Sequence, residues 1–242
     1  NELDMKVALI SIFKYKIIIN LVDSILNEDD GDVVIMPKFR DSTRQNKLDK
    51  QYTLSFAQER LWFVENYEDG SNVYNTPLIY KLSITTDIKA LEAAIESVVA
   101  RHAVLHSKIK LDNQGNGYQE VNDMTLEALA TPVCDFTDKE ELFSLINGEI
   151  NHVFNLASEY PIRVAICKLN LTADPCIYLS VVVHHIAFDG WSVDIFLRDI
   201  YAYYMYYIQL DADKENNTTT AKLILPELTI QYYDFAAWQR EY

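Results

Sequence analysis

The chain has 242 residues, enough for one large domain or two lobes around a core. Acidic side chains outnumber basic ones, 36 against 21, and the net charge of −15 disfavours a nucleic-acid partner because phosphates are repelled. With only 6 glycines, at 31, 70, 115, 117, 148 and 190, no Gly-rich phosphate loop can be built, so dinucleotide and P-loop readings fall.

Residues 4–26 read as one amphipathic helix, ended by an acidic turn over Asp29–Asp32. Lys14, Lys16 and Asp23 interrupt its apolar stretch, which excludes a membrane span, and no secretory signal opens the chain. Because residue 1 is Asn, a fragment of a longer chain is expected. Residues 37–52 are polar and aperiodic and read as a linker. The main domain then occupies 53–242.

Ser55 is the expected N-cap of an aromatic-rich helix reaching about Glu65. Pro77–Ile84 alternates as a strand does. Asp87 should cap a helix whose stripe is Ile88, Leu91, Ile95, Val98 and His102. Val104–Leu111 and Tyr118–Val121 read as strands joined by the turn Asn113–Gly117. A helix is expected over 138–153, then a hairpin of Arg163–Leu169 with Cys176–His184, then a helix over Trp191–Ile208. Residues 211–220 read as a solvated loop, and a last helix starts near Leu228. Strands and helices mix without repeats, so the class is α/β or α+β. Cys134, Cys167 and Cys176 fit buried thiols in a reducing compartment better than a disulfide framework or a zinc site.

The informative segment is His184-His185-Ile186-Ala187-Phe188-Asp189-Gly190-Trp191, between an apolar strand and a helix. Adjacent residues leaving a strand face opposite ways, so one imidazole can brace the interior while the other reaches a cleft. Histidine moves protons near neutral pH. Alternation alone leaves open which of His184 and His185 does which. Asp189 is read as an orienting or ion-paired group in the turn. Gly190 would permit a tight turn and bring a backbone N–H close to a carbonyl oxygen. Trp191 and Ser192 read as packing and capping residues at the helix start. The tyrosines of 201–207 read as a helix face against the sheet.

His184–Gly190 resembles the HHxxxDG signature of condensation domains of nonribosomal peptide synthetases. Four further segments resemble that family's motifs in order: Leu54–Phe63, Arg101–Ser107, Phe154–Leu156 with Pro161–Arg163, and Tyr232–Gln239. The resemblance covers 53–242. It departs from the family at Ala103, where Glu is usual, at His106, where Arg is usual, and at Asn155, where Asp is usual.

The resemblance implies a chloramphenicol-acetyltransferase-like lobe with a mixed sheet flanked by helices, one of two lobes in a V-shaped domain of about twice the single-core size. It implies an acyltransferase that joins an acyl or peptidyl thioester on an upstream carrier to the amine of an aminoacyl thioester on a downstream carrier. Substrates would arrive on phosphopantetheine arms, with no covalently bound cofactor and no metal. The catalytic positions it implies are His185, which would orient the amine and take its proton, Asp189, Gly190 and His184, which would brace the loop. Supporting positions are Arg101, which would pair with Asp189, together with Trp191 and Arg163. Partners implied are both carrier domains and the second lobe, in the cytoplasm, with neither membrane nor nucleic acid. The segment 1–36 resembles the end of a docking or carrier domain and would meet an upstream synthetase. Two other readings stay open: a truncated, non-catalytic lobe that binds carriers or a partner lobe, and a free-standing coenzyme A-dependent acyltransferase.

Overall fold

The computed structural model describes residues 50–67, 70–123, 129 and 132–241. The helix expected over 4–26, its docking or carrier assignment, and most of the linker lie outside them.

In chain order the elements are β1 (Gln51–Thr53), α1 (Phe56–Tyr67), β2 (Asn75–Ser83), α2 (Ile88–Arg101), a 3-10 turn (Ala103–His106), β3 (Ser107–Leu111) and β4 (Gly117–Val121). There follow β5 (Val133–Phe136), α3 (Lys139–Ile150), β6 (Ile162–Leu169), β7 (Cys176–His184), α4 (Gly190–Asn216) and α5 (Tyr232–Glu241). The main sheet has the order β2-β7-β6-β5, antiparallel except for the parallel pair β5–β6. A smaller antiparallel sheet has the order β1-β4-β3.

Alternation along the two central strands explains the layers. Ile177, Leu179, Val181 and Val183 of β7 and Ile162, Val164 and Ile166 of β6 share one core with Leu91, Ile95 and Val98 of α2 and Phe196 and Ile200 of α4. The alternate residues Ala165, Cys167, Leu169 and Cys176 meet Leu142 and Ile146 of α3 on the other face. A third cluster joins Val182 and Ile186 to Leu54, Ile109, Phe154 and Leu156, and so ties the end of β7 to the chain entering α1.

Caps fix the helix starts. Ser55 Oγ accepts from Gln58 N–H while Gln58 Oε1 accepts from Ser55 N–H, a reciprocal capping box. Asp87 caps α2, and Asp138 caps α3. The Asp112–Asn116 turn places Gly115 at φ +87°, in the left-handed region that favours glycine.

The structure corrects several expectations. Val104–His106 winds into the 3-10 turn, so β3 begins only at Ser107. Gln51 and Tyr52, assigned to the linker, pair with Glu120 and Gln119 as β1. α4 continues to Asn216 through the polar stretch expected as loop, and α5 starts at Tyr232 rather than Leu228. The tyrosines of α4 lean on α2 as much as on the sheet. Tyr207 Oη meets Ser97 Oγ at 2.8 Å, Tyr204 Oη accepts from Asp87 N–H, and Tyr201 is exposed. Cys167 and Cys176 are buried and Cys134 is half-buried. Among the described residues, no helix is long and apolar enough to cross a membrane.

Candidate active site

β7 delivers the two histidines to different surroundings. His184 is fully buried. Its Nδ1 accepts from Ile186 N–H at 3.1 Å, so the proton of the neutral ring sits on Nε2 and is donated to Glu65 Oε1 at 3.2 Å. Burial holds the pKa of His184 below the ordinary imidazole value, against the pull of Glu65. Glu65 is itself fixed by Ser71 N–H at 2.9 Å. His184 therefore braces α1 against the strand end.

His185 is exposed, as alternation requires. Its backbone N–H donates to Tyr74 O at 2.8 Å, and its Nδ1 lies 2.6 Å from Phe188 O. A carbonyl only accepts, so Nδ1 carries the proton and the neutral ring keeps its lone pair on Nε2.

That ring lines a cavity of about 420 Å³. α1 contributes Gln58, Arg60 and Leu61 to its wall, and the end of α2 and the 3-10 turn contribute His102, Val104 and Leu105. Phe188, Asp189, Ser192 and Phe196 close another side, and Leu228, Ile230 and Gln231 of the segment before α5, with Tyr232 at the helix start, complete it. The wall is mostly apolar. Gln58 spans it, donating from Nε2 to Ile186 O, while Tyr232 Oη bonds Ser55 Oγ at 2.9 Å. Gln231 pins the last segment: its Oε1 accepts from Ala103 N–H and its Nε2 donates to Arg101 O.

Asp189 caps α4. Its Oδ1 accepts from Ser192 N–H at 2.9 Å and from Ser192 Oγ at 2.7 Å, and its own N–H donates to Ser192 Oγ. The expected Arg101–Asp189 pair is not formed. Arg101 Nε donates instead to the fully buried Asp199 at 3.1 Å, and Arg101 Nη2 donates to Pro226 O. The reason is placement: Asp199 lies inside the α2–α4 contact beside Arg101, whereas the Asp189 carboxylate is taken up by the first turn of α4.

Gly190 is the first residue of α4 and does not line the cavity. Its φ is not left-handed, and a Cβ placed there would meet nothing within 4 Å, so the turn itself does not require glycine. As a first-turn residue its N–H has no intrahelical partner. Trp191 is 78% exposed, which overturns the packing role expected of it, whereas Ser192 does cap. Arg163 stands away from the cavity. It donates to Glu149 at 2.6 and 3.0 Å and approaches Glu159 at 3.8 Å, so it ties β6 to the end of α3. His106 does not take the place of a paired arginine: its Nδ1 meets Asn122 O at 2.9 Å, and burial lowers its pKa.

Glu65, Gln58, Asp199 and Gln231 were not singled out in the sequence as parts of the site. Gln58 and Glu65 sit on one helix seven residues apart, a spacing that places both on the same face, and that pattern was available. Asp199 and Gln231 act across more than 95 residues, and no local pattern announces them. Among the described residues, no three His, Cys, Asp or Glu side chains converge as metal ligands.

A family model for the condensation domain matches residues 48–242. The chain is 37% identical over 192 residues to N-(5-amino-5-carboxypentanoyl)-L-cysteinyl-D-valine synthase of Amycolatopsis lactamdurans, spanning 78% of this chain and 5% of that protein. It is 34% identical over 194 residues to the bassianolide nonribosomal cyclodepsipeptide synthetase of Beauveria bassiana, spanning 80% of this chain and 6% of that one. The chain thus covers a small part of these curated relatives. Among solved structures, the X-domain in its complex with OxyB from teicoplanin biosynthesis superposes with a TM-score of 0.63 at 25% identity, over 80% of this chain and 38% of that one. The starter condensation domain of rhizomide synthetase RzmA superposes at 0.62 with 17% identity, over 79% and 43%, a likeness of fold.

Proposed function

Because the chain belongs to the condensation domain family of nonribosomal peptide synthetases, we propose that its described lobe supplies the proton-handling half of an amide-forming site. The reaction transfers an acyl or peptidyl group from an upstream carrier's thioester to the amine of a downstream aminoacyl thioester. The amine nitrogen attacks the thioester carbon, the ammonium proton leaves, and the C–S bond breaks to release the carrier thiol. A thioester needs little activation, so positioning of two tethered reactants supplies much of the acceleration.

The observation that carries this reading is the single free lone pair of His185, held at the cavity wall by Phe188 O. In that position it orients the amine and takes its proton. His184 braces the strand end, and Asp189 holds the loop as the cap of α4. Gly190 N–H is the candidate donor to the developing oxyanion, with Trp191 beside it at the exposed helix start. Arg101 and Arg163 support the fold rather than the chemistry. The catalytic lobe runs from β1 at Gln51 to the last residues, with the stretch before it as a linker and 1–36 as part of a docking or carrier unit. The partners are two carrier domains, which bring substrates on phosphopantetheine arms with no resident cofactor, and a second lobe. A reducing, cytoplasmic setting suits the buried thiols.

The test is dipeptide formation from loaded carriers by the full-length synthetase. His185→Ala should abolish it, and unchanged product would remove His185 from the chemistry. One observation favours a second reading, a lobe that only binds partners: the similar X-domain was solved in complex with OxyB. Carrier binding without any product would decide for it.

A further inference from the structure

The cavity holds a second imidazole. His102 ends α2 and lines the wall beside the 3-10 turn. Its Nε2 lies 2.9 Å from Asp199 Oδ2. Asp199 is fully buried, with Arg101 on the same oxygen and Arg198 at 2.7 Å on the other. Two guanidiniums keep that carboxylate ionised, so it accepts and the Nε2 of His102 donates. The proton is thereby fixed on Nε2, and Nδ1 keeps a lone pair with no partner among the described residues. Burial also lowers the pKa of His102, which favours this neutral form.

Most other polar groups of the wall are spoken for. The amides of Gln58 and Gln231 bond at both ends, Tyr232 Oη bonds Ser55, and Ser192 Oγ bonds Asp189. Arg60 can only donate. Among the described lining side chains, the acceptors left over are His185 Nε2, His102 Nδ1 and the second oxygen of Asp189.

We propose that His102 Nδ1 accepts a hydrogen bond from an amide N–H of the acyl donor, so that the cavity selects aminoacyl or peptidyl donors over plain hydrocarbon acyl groups. This rests on the amide-forming reading above. There the reacting amine is served by His185, so an acceptor elsewhere on the wall addresses the other reactant. In an otherwise apolar wall, an acceptor left without a donor costs more than a missing methylene, which is how such sites discriminate. Asp199 is a positioning residue that sets the tautomer through Nε2.

The experiment uses the full-length synthetase with its upstream carrier loaded in two ways: an N-acetyl-aminoacyl thioester, and its isostere with CH2 in place of the amide N–H. The wild-type protein should prefer the N–H donor by about 2- to 13-fold, as expected for one hydrogen bond. His102→Ala should bring the ratio close to unity by raising KM for the N–H donor, with kcat little changed. His102→Asn, which keeps an acceptor at the position of Nδ1, should recover part of the preference. Equal use of both donors by the wild type, or an intact preference in a folded His102→Ala variant, overturns the inference while leaving the condensation reading in place. No amide from either donor overturns the condensation reading instead. The wild-type comparison decides even if the variants do not fold.

Discussion

His185 and Phe188 form a closed ring: the imidazole at the strand end donates through Nδ1 to the carbonyl three residues on, at 2.6 Å. The same bond holds the loop and aims the lone pair, so holding and chemistry can be separated by substitution. In His185→Asn the side-chain amide can still donate to Phe188 O but has no basic nitrogen. The loop should survive, with a melting temperature close to wild type. Amide formation should fall about 10²- to 10⁴-fold, the usual worth of a positioned base. If the asparagine variant keeps more than about a tenth of the wild-type rate, the imidazole only orients its surroundings.

Glu65 is the partner that the buried His184 cannot lose cheaply. Glu65→Ala strips the acceptor from both His184 Nε2 and Ser71 N–H. Each unsatisfied group costs about 1–3 kcal/mol. A drop of about 2–5 kcal/mol in urea unfolding is expected, with activity reduced because the strand end that carries His185 loosens. Glu65→Gln keeps one acceptor and should cost less than half as much. Equal effects of the two substitutions would show that volume, rather than the hydrogen bond, matters there.

Three histidines give the fold an acid limit. Burial lowers the pKa of His102, His106 and His184 in the folded chain below the ordinary 6.5. The unfolded chain takes up those protons as pH falls below about 6.5, while the folded chain resists them. Stability should be level from pH 8 to 7 and decline below about 6.5, down through the lowered folded values. The pKa values of Asp199 and Asp213 are depressed, so what these two contribute is lost only at still lower pH. Melting temperatures at pH 8, 7, 6 and 5.5 measure this. A melting temperature that rises on acidification over that window would contradict it.

How much of this was legible in the sequence follows from how local each cause is. The β6–β7 pair announced itself through Ile, Val and Leu on both faces and a polar turn between. The caps Ser55 and Asp87 were visible because a cap acts within three residues. β1 and β5 were missed. Three and four residues, at sheet edges, exist only because β4 and β6 offer them hydrogen bonds. The C-terminal turns of α4 read as loop because residues 211–216 are nearly all polar, yet a helix already begun continues easily through such residues. That His184 and His185 face opposite ways followed from strand alternation, while the choice of His185 for the cavity came with the family resemblance. The partner of Arg101 did not: two aspartates lie ten residues apart on or beside one helix, and only packing chooses between them.

Asp189 can be tested as a cap. Aspartate and asparagine cap about equally well, whereas alanine does not. Asp189→Asn should keep stability within a few tenths of a kcal/mol, and Asp189→Ala should lose about 1 kcal/mol. If capping is its whole contribution, the asparagine variant retains amide formation as well. A folded Asp189→Asn that has lost more than about 10²-fold in rate would return the carboxylate to the chemistry.

The segment between α4 and α5 forms one wall of the cavity, and Asp213 anchors its start. The carboxylate accepts from Thr218 Oγ1, Thr220 N–H, Thr220 Oγ1 and Ala221 N–H, all between 2.6 and 2.7 Å. So many donors hold its pKa far below the usual carboxylate range. At the far end Gln231 grips Ala103 and Arg101, and between them Arg101 holds Pro226 O. Asp213→Ala should free the first anchor and leave the others. Amide hydrogen exchange at Thr220 and Ala221 should then quicken by at least about tenfold, while exchange in β6 and β7 stays as it was. Since the released segment carries Leu228 and Ile230 to the cavity, KM for the loaded carriers should rise more than kcat falls. Unchanged exchange at Thr220 would show that the grip at Gln231 alone keeps the wall in place.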